Sequence, residues 1–343
     1  MSTGSLPPEL LELTFGFCRD LRRLHAAACV CKSWLKAAAR CRDALRRLTF
    51  ARGYGERGSR HYQFHHADAI CAMGCDMLLV AEEQRLRLVT EAPELSHEYM
   101  PMKEWGHPLL PLHHMRGSDG PSGMAFDGSS RVYISDSGSD VVVALQLGRT
   151  PIPTRCETTA SISTVICGPG ALCLHQGRLY VACTPRNIVV IADLPRLTLP
   201  NPLHHKCPCV WGRPGEDAFG GQPQDLAALD DELFVADTQN HRIVVLDCAT
   251  GSRLRTLGKQ GTAPGEFRKP TAITACRRGA DAFLIVGEFT GRRVQILSLH
   301  GAPLQLLTLA PAVRVGPFCV QGDRVYATAS APGPPLLVFD LQK

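Results

Sequence analysis

The chain has 343 residues, a net charge of +5 and 45% apolar residues, which is enough apolar material to bury a sizeable core. It has no run of 18 apolar residues, and its 15 cysteines are scattered singly, unlike the clustered cysteines of a secreted disulfide framework. Scattered free cysteines are expected to pack as small apolar residues. We therefore predict a protein of a reducing compartment, the cytoplasm or the nucleus, without a membrane span.

Charge and composition divide the chain into two regions. Residues 1–60 hold 12 basic and 5 acidic residues, whereas the remainder holds 25 basic and 27 acidic residues. The chain also contains 31 Gly and 25 Pro but only 6% aromatic residues, which favours many turns and short strands over long helices. The pattern predicts a small basic head followed by a larger, nearly neutral β-rich region.

The head, residues 1–50, has the apolar spacing of short amphipathic helices. Pro8 and Glu9 suit the first turn of a helix, and Leu11, Phe15 and Cys18 follow at helical spacing. A later helix carries apolar residues at three-to-four spacing, namely Val30, Trp34, Ala38, Cys41, Leu45 and Leu48. Three helices of this size cannot bury so many apolar side chains among themselves, so some are expected to face a partner.

Two sequence blocks of the head, together covering about residues 5–48, resemble an F-box. The blocks are Leu6-Pro7-x-Glu9-Leu10-Leu11, followed by Phe15, and Val30-Cys31-Lys32-x-Trp34. Cys18 stands where leucine is usual, and the middle is about one residue short. The resemblance implies docking onto a Skp-type adaptor of a cullin-RING ubiquitin ligase through Leu6, Pro7, Leu10, Leu11, Phe15, Val30, Cys31 and Trp34. The alternatives are a helical cap that packs on the rest of the chain, and a targeting segment, which the early Glu9 and Glu12 disfavour.

Residues 51–66 are expected to link the head to the second region. Within them, residues 51–60 hold three Gly and three Arg and no apolar run. Such a composition is typical of a linker or of a flexible entry into the next domain.

The second region, residues 67–343, repeats one unit, an apolar strand, a polar turn and a second apolar strand. The end of the first strand recurs every 41 to 54 residues, at Val80, Ile134, Val181, Val235, Val286 and Ala327. Prolines that precede a short strand recur in the same rhythm, at Pro121, Pro169, Pro223, Pro270 and Pro317. One small twisted sheet cannot bury both of its faces alone, whereas copies arranged around an axis can. The spacing predicts a mainly β fold, a six-bladed β-propeller, with the small helical head in front of it.

The most regular turn of this repeat is the polar segment between Val235 and Ile243. We expect Asp237 to accept hydrogen bonds from turn amides and Asn240 to adopt a left-handed conformation. Arg242 is expected to pair with an acid of a neighbouring blade. A purely structural role explains most of this motif.

Two stretches resemble the NHL repeat, residues 223–247 and residues 258–297. The shared pattern is a Gly-rich lead, a proline, a short strand and then Val-Ala-Asp-Thr-x-Asn-x-Arg-Ile, which residues 235–243 match closely. The match is weaker around residues 168–191, where Cys183 replaces the aspartate. The resemblance implies a six-bladed propeller of the interaction type. The residues assigned to its structural turns are Asp136, Asp237, Asn240, Arg242, Glu288 and Arg293.

The sequence lacks the motifs of three common enzyme classes. The GxxxxGK[ST], GxSxG and HExxH patterns are all missing from the sequence. The segment HHKCPC, residues 204–209, is interpreted as a loop because structural zinc sites space their ligands more widely. Acids that could hold a metal in a propeller channel do not recur at equivalent positions, namely Asp119, Asp127, Asp217, Glu216 and Glu288. We therefore predict no catalytic residue, no metal and no cofactor.

The pairing of the two regions predicts a substrate-recognition adaptor, with the head docked on a ligase core and the propeller bound to a protein target that the sequence does not name. Two other functions stay open, a metal-dependent enzyme of the lactonase or lyase type and an RNA-binding propeller. Against RNA, the propeller is nearly neutral and poor in aromatic residues, although it has basic pairs such as Arg268-Lys269 and Arg277-Arg278. The ring could close by pairing residues 335–341 with a strand near residues 47–50 or near residues 62–66.

Overall fold

The computed structural model describes residues 48–54, 56–57, 63–64, 67–74, 77–82, 85–90, 97–101, 121–138, 140–147, 156–162, 168–193, 209–212, 219, 221–310, 313–330 and 334–341. The predicted head up to residue 47 lies outside this range. Three strands come first, β1 (Leu48–Tyr54), β2 (Glu56–Arg57) and β3 (Gln63–Phe64), of which β2 and β3 pair with each other in parallel.

Five four-stranded antiparallel sheets, blades 1 to 5, each come from one consecutive set of strands. Blade 1 contains β4 (Ala69–Gly74), β5 (Met77–Glu82), β6 (Arg85–Thr90) and β7 (His97–Pro101). Blade 2 contains β8 (Pro121–Phe126), β9 (Arg131–Asp136), β10 (Val141–Leu147) and β11 (Cys156–Ile162). Blade 3 contains β12 (Pro169–His175), β13 (Arg178–Cys183), β14 (Ile188–Asp193) and β15 (Cys209–Trp211). Blade 4 contains β16 (Pro223–Leu229), β17 (Glu232–Asp237), β18 (Arg242–Asp247) and β19 (Arg253–Leu257). Blade 5 contains β20 (Pro270–Arg278), β21 (Asp281–Glu288), β22 (Arg293–Ser298) and β23 (Pro303–Thr308).

A further four-stranded sheet, blade 6, joins the two ends of the described chain. It contains β24 (Arg314–Gln321), β25 (Arg324–Ser330) and β26 (Leu336–Leu341), and its fourth strand is β1. β1 pairs antiparallel with β26, with Leu48 opposite Leu341 and Tyr54 opposite Leu336. The first of the two closures considered from the sequence, near residues 47–50, is therefore the one in the structure.

The pairing of β1 corrects two expectations from the sequence. Leu48 was assigned to a helix and residues 51–54 to a linker, but all of them belong to one strand. The reason is that β26 has an outer edge whose backbone groups require a partner, and β1 supplies it. Leu48 is fully buried between blades 5 and 6, which explains why an apolar residue stands at this position.

The innermost strands of the blades surround a central channel in a closed ring. Contacts run from β4 to β8, β12, β16, β20 and β24, and from β24 back to β4. The approach of neighbouring strands is very close between blades 2 and 3, where a Cβ on Gly123 would lie 2.6 Å from the carbonyl oxygen of Gly170. This arrangement confirms the predicted mainly β propeller.

The predicted strand anchors occupy one equivalent position in all of these sheets. Val80, Ile134, Val181, Val235, Val286 and Ala327 pair across the sheet with Ile70, Met124, Leu172, Leu226, Ile273 and Phe318 of the innermost strands. All six anchors are buried. A single apolar position per repeat is therefore enough to locate the second strand of each blade.

The proline marker holds in only four of the five places. Pro121, Pro169, Pro223 and Pro270 are the first residues of β8, β12, β16 and β20. Pro317 instead lies inside β24, and Val315 is the residue of blade 6 that takes the equivalent position, opposite Ala329. A proline is tolerated there because the pairing of β24 with β25 is interrupted between Val315 and Phe318.

Six apolar clusters fill the spaces between adjacent blades. The cluster between blades 4 and 5, for example, joins Phe234 and Val245 of blade 4 to Leu284 and Val286 of blade 5. Equivalent clusters lie at the other five junctions. Each sheet thus buries its two faces against its two neighbours, as the repeat predicts.

Side-chain hydroxyl groups donate hydrogen bonds from one blade to the next near the start of the innermost strands, and we call these hydrogen bonds latches. Thr184 of blade 3 donates a 2.8 Å hydrogen bond to the carbonyl of Pro223, and Thr238 of blade 4 donates one of 2.6 Å to the carbonyl of Pro270. Ser135 of blade 2 donates a 2.6 Å hydrogen bond to the carbonyl of Gly170. These latches fix the spacing of the innermost strands and therefore the width of the channel at this end.

Candidate binding site at the mouth of the channel

One end of the channel opens into a cavity of about 500 Å³, which we call the mouth cavity. Every blade contributes the residue two positions before the partner of its strand anchor, namely Asp68, Ser122, Gly170, Gln224, Thr271 and Gly316. All six are half-buried. The wall is therefore made of small or polar side chains that the ring places at equal height.

The rim of the mouth cavity carries a cation beside an aromatic ring. The guanidinium carbon of Arg314 lies 4.4 Å from the centroid of the Phe289 ring, within the range of a cation–π interaction. Phe289 is 40% exposed, which is unusual for phenylalanine at the end of a buried strand. Both residues line the cavity, and Asp68 lies on the blade 1 side of it. Sequence reasoning missed Phe289 and Arg314, and the signal for Phe289 was an aromatic residue inside a polar turn.

Deeper in the channel lies a second cavity of about 240 Å³, and Asp225 is the one carboxyl among its lining residues. Asp225 is buried, and burial raises its pKa to about 7 because water no longer stabilises the charge. Its Oδ2 accepts a 2.7 Å hydrogen bond from the amide of Ile273 on blade 5, and its Oδ1 accepts one of 2.8 Å from its neighbour Leu226. The sequence signal for Asp225 was an aspartate where blades 2, 3 and 5 have glycine or alanine.

The turn between β17 and β18 is held by an ion pair within blade 4. Asp237 is fully buried, and its Oδ2 accepts hydrogen bonds of 2.7 Å from Arg242 Nε and 3.0 Å from Asn240 Nδ2. The predicted pairing of Arg242 with a neighbouring blade was therefore wrong, because the four-residue turn, residues 238–241, returns the arginine to the same sheet. The left-handed residue is His241, with φ of 55°, while Asn240 ends the 3-10 turn Thr238–Asn240.

Asp237 also differs from its expected role. Its Oδ1 is buried without a hydrogen-bond partner among the described residues, and no turn amide bonds to its side chain there. The expected turn-amide contact occurs in blade 2, where Oδ1 of Asp136 accepts a 3.0 Å hydrogen bond from the amide of Gly138. The two aspartates stand at equivalent positions, and each stabilises its turn by a different contact.

The turn of blade 5 contains a larger polar network centred on the fully buried Glu288. Oε1 of Glu288 accepts 2.7 Å hydrogen bonds from Arg293 Nε and Gln295 Nε2, and Oε2 accepts one of 2.7 Å from the amide of Arg268. Arg293 also donates to the carbonyl oxygens of Thr262 and Glu266. This network fixes the loop of residues 258–269 beside the mouth cavity.

These geometries agree with a comparison of the sequence with known families. Residues 221–246 match the NHL repeat. The matched stretch contains β16, β17 and all of β18 except its last residue, and with them Asp237, Asn240 and Arg242. The NHL repeat of blade 4 therefore includes both the latch from Thr238 and the ion pair of the turn. No curated protein matches the chain in sequence.

Solved structures resemble the chain in fold. A catalytically inactive virginiamycin B lyase from Staphylococcus aureus, with quinupristin, aligns at a TM-score of 0.52 and 12% identity over 81% of this chain and 82% of the lyase. The WD40 β-propeller domain of Doa1 aligns at a TM-score of 0.52 and 12% identity, over 87% of this chain and 98% of the Doa1 domain. A chain of a nidogen–laminin complex aligns at a TM-score of 0.51 and 15% identity, over 76% of this chain and 92% of that one. At such identities the likeness concerns the fold alone.

The remaining predicted positions fall into two groups. The predicted adaptor-binding residues, Leu6 to Trp34, lie outside the described residues, as do Asp119, Glu216, Asp217 and residues 204–208. Within the described part, Oδ1 of Asp127 accepts hydrogen bonds of 2.8 Å to 3.0 Å from the amides of residues 129–131, and Glu288 is engaged by Arg293. No group of three or more His, Cys, Asp or Glu in that part of the chain is placed to hold a metal ion.

The described cysteines behave as core residues. Cys71, Cys183, Cys248, Cys276 and Cys319 are buried thiols, and Cys173 is a half-buried thiol. Burial raises the pKa of the Cys71 thiol to about 12, so it stays protonated and unreactive. In the same part of the chain, no helix has the length and apolar character needed to cross a membrane.

Proposed function

We propose that this chain is the substrate-recognition subunit of a cullin-RING ubiquitin ligase. The observation that carries the proposal is the union, in one chain, of an F-box-like block in residues 5–48 with a β-propeller that contains an NHL repeat. In this proposal the head docks on a Skp-type adaptor and the propeller binds the target protein. The chain itself contributes no bond chemistry and works in the cytoplasm or the nucleus.

The architecture of the propeller supports a role in binding. The mouth cavity is surrounded by residues from every blade, so its walls are held by the whole ring rather than by one loop. Its volume of about 500 Å³ lies within the range of ordinary ligand pockets. A rigid ring that presents loops and a central depression is suited to selecting a segment of another protein.

The docking half of the proposal is tested by capture of the full chain on an immobilised Skp-type adaptor. Replacing Leu10 and Leu11 by Asp should abolish capture. Burial of each leucine in an interface contributes roughly 1.5–3 kcal/mol, so the double change should weaken binding by about a hundredfold or more. The matched control is Leu254→Asp, which makes the same chemical change at a leucine of β19 that is 47% exposed.

The two variants must behave differently for the proposal to stand. Undiminished capture of the Leu10→Asp, Leu11→Asp double variant would rule out the proposed docking face. Equal loss of capture by Leu254→Asp would show that the loss is not specific to the head and would contradict the proposed docking face. Melting curves of both variants, followed by the β-sheet signal in circular dichroism, show whether the ring has stayed folded.

A further inference from the structure

The two ends of the propeller differ in how their basic side chains are paired. At the end opposite the mouth, arginines next to the strand turns contact acids. Arg255 Nη1 lies 2.5 Å from Glu232 Oε1, and Arg278 Nη2 lies 2.5 Å from Asp323 Oδ1. Arg277 contacts Asp230 in the same way. Two further pairs lie there, Arg178 with Asp193 at 3.4 Å and Arg324 with Asp340 at 3.2 Å. The positive charge at that end is therefore largely neutralised.

At the mouth end, four cations of blades 5 and 6 form what we call the basic rim, namely Arg268, Lys269, Arg292 and Arg314. None of them has an acidic side chain within salt-bridge distance among the residues that the structure describes. Arg268, Arg292 and Arg314 are exposed and Lys269 is half-buried. Their charges are therefore available to a ligand.

The basic rim is organised around Phe289. The amide of Phe289 donates a 3.0 Å hydrogen bond to the carbonyl of Lys269, and Thr290 Oγ1 donates one of 2.9 Å to the carbonyl of Arg268. Arg314 stacks on the ring of Phe289 at 4.4 Å. These bonds to main-chain carbonyls hold the backbone of Arg268 and Lys269 beside Phe289, so an anion meets a backbone that is already ordered.

The basic rim adjoins the mouth cavity. Phe289 and Arg314 line the cavity, and the walls next to them come from small residues such as Thr271, Gly316 and Ser330. Small residues leave space for the backbone and side chains of an inserted segment, while guanidinium groups at the edge offer paired donors to carboxylates or phosphates.

We infer that the mouth cavity and the basic rim together bind an acidic segment of a protein, whose carboxylates or phosphoserines contact the basic rim. This inference rests on the proposed function in one respect, because it takes the segment to belong to the ligase target. A segment with several carboxylates and a segment with several phosphoserines have the same relevant chemistry, since each is a peptide that carries several negative charges. Charge complementarity makes such a partner favoured over a neutral or basic one.

Two features favour a peptide over a nucleic acid. Binding of a single strand requires several aromatic platforms, whereas Phe289 is the one large aromatic side chain that the described mouth end exposes, and Arg314 already covers its ring. On the blade 2 side of the mouth, Asp140 is exposed and carries a carboxylate. Its negative charge repels a long polyanion laid over the whole mouth but leaves room for a short acidic segment at blades 5 and 6.

The test is fluorescence anisotropy of the full chain with labelled twelve-residue probes. The probes are a peptide of alternating Gly and Glu, the same peptide with phosphoserine for Glu, the same peptide with Lys for Glu, and a uridine 12-mer. We expect one or both anionic peptides to bind, the lysine peptide not to bind, and binding to weaken as salt is raised. Equal binding of the lysine peptide would overturn the inference, and so would tighter binding of the uridine 12-mer or failure of both anionic peptides.

Matched double variants test the location. Arg268→Gln with Arg314→Gln removes two charges from the basic rim and should weaken the anionic peptide on the order of tenfold. Arg277→Gln with Arg324→Gln removes two charges from the opposite end and should leave binding unchanged. An equal loss in both double variants would assign the effect to net charge and end the proposed site.

This test separates the two proposals because it uses no adaptor. The adaptor role alone would be contradicted if the immobilised adaptor fails to capture the wild-type chain while the Leu10→Asp, Leu11→Asp variant still binds an anionic peptide. Normal adaptor capture with no binding of either anionic peptide would contradict the acidic-segment site alone.

Discussion

The turns of blades 3 and 4 share one backbone conformation, but different pairs of side chains span them. In each, a three-residue 3-10 turn is followed by a left-handed residue, Asn187 in blade 3 and His241 in blade 4, both with φ of 55°. Blade 4 then spans the turn with the pair Asp237 and Arg242, whereas blade 3 has Cys183 and Ile188 at these positions. Both Cys183 and Ile188 are buried.

The ion pair is therefore not what gives the turn its shape. The backbone conformation is common to both blades, and so is the latch from the threonine at the start of the turn, Thr184 or Thr238. In blade 3 apolar contacts replace the carboxylate and the guanidinium, and the turn is retained. A buried ion pair often has an energy close to that of apolar residues of similar volume, because burial removes water from both charges.

Blade 5 shows the opposite extreme. Its glutamate is the acceptor for three donors, and its arginine is itself buried. Removing one partner there leaves a charge with little access to water, whereas Arg242 in blade 4 is 27% exposed. The three turns therefore form a series in which the dependence on charge rises from blade 3 to blade 4 to blade 5.

The largest expected effect is that of Glu288→Ala. It leaves the Arg293 guanidinium buried and unpaired and removes the acceptor for the amide of Arg268, so it should lower the free energy of unfolding by about 3–5 kcal/mol. Urea unfolding followed by circular dichroism measures the change. A loss below about 1 kcal/mol would mean that water reaches Arg293 and that blade 5 resembles blade 4.

A smaller effect is expected for Asp237→Ala, about 1–3 kcal/mol, because the arginine left behind is partly exposed. The double variant Asp237→Cys with Arg242→Ile introduces the blade 3 pair and should recover most of that loss in the same unfolding experiment. If the double variant is less stable than Asp237→Ala, the ion pair does more than fill space, and the equivalence of the two turns fails.

The smallest effect concerns the innermost strands, where blade 3 has Ala171 and blade 4 has Asp225. The pKa of Asp225 in the folded chain is about 7, above the ordinary value of 3.8, so the folded state holds a proton that the unfolded state releases between these values. The free energy of unfolding should therefore rise as the pH falls from 7.5 to 5.5. The rise should be about 1–2 kcal/mol larger in the wild type than in the Asp225→Asn variant over the same pH interval. Urea unfolding at both pH values checks this, and identical pH dependence of the two proteins would show that Asp225 titrates normally.

Much of the fold follows from short-range patterns. The six anchors from Val80 to Ala327 were located from the sequence because every repeat requires a buried apolar residue at that position. The positions of the turn residues Asp136, Asp237 and Glu288 followed from the same repeat, because each comes two residues after an anchor. Their partners did not, since Asp136 bonds a turn amide, Asp237 bonds an arginine of its own sheet and Glu288 bonds the amide of Arg268 across a loop.

The sequence by itself determined the repeat, the location of its strands and turns, and the division between a basic head and a nearly neutral β-rich region, because each of these depends on residues close together in the chain. Only the tertiary structure decided that β1 completes the sheet of β26, that Asp225 bonds Ile273, and that Phe289 meets Arg314. It also decided that Arg268-Lys269 and Arg277-Arg278, alike in sequence, stand at opposite ends of β20, one pair at the mouth and the other beside acids. The physical reason is that these contacts depend on how the sheets are arranged around the axis, and residues far apart in the chain meet only once the ring has closed.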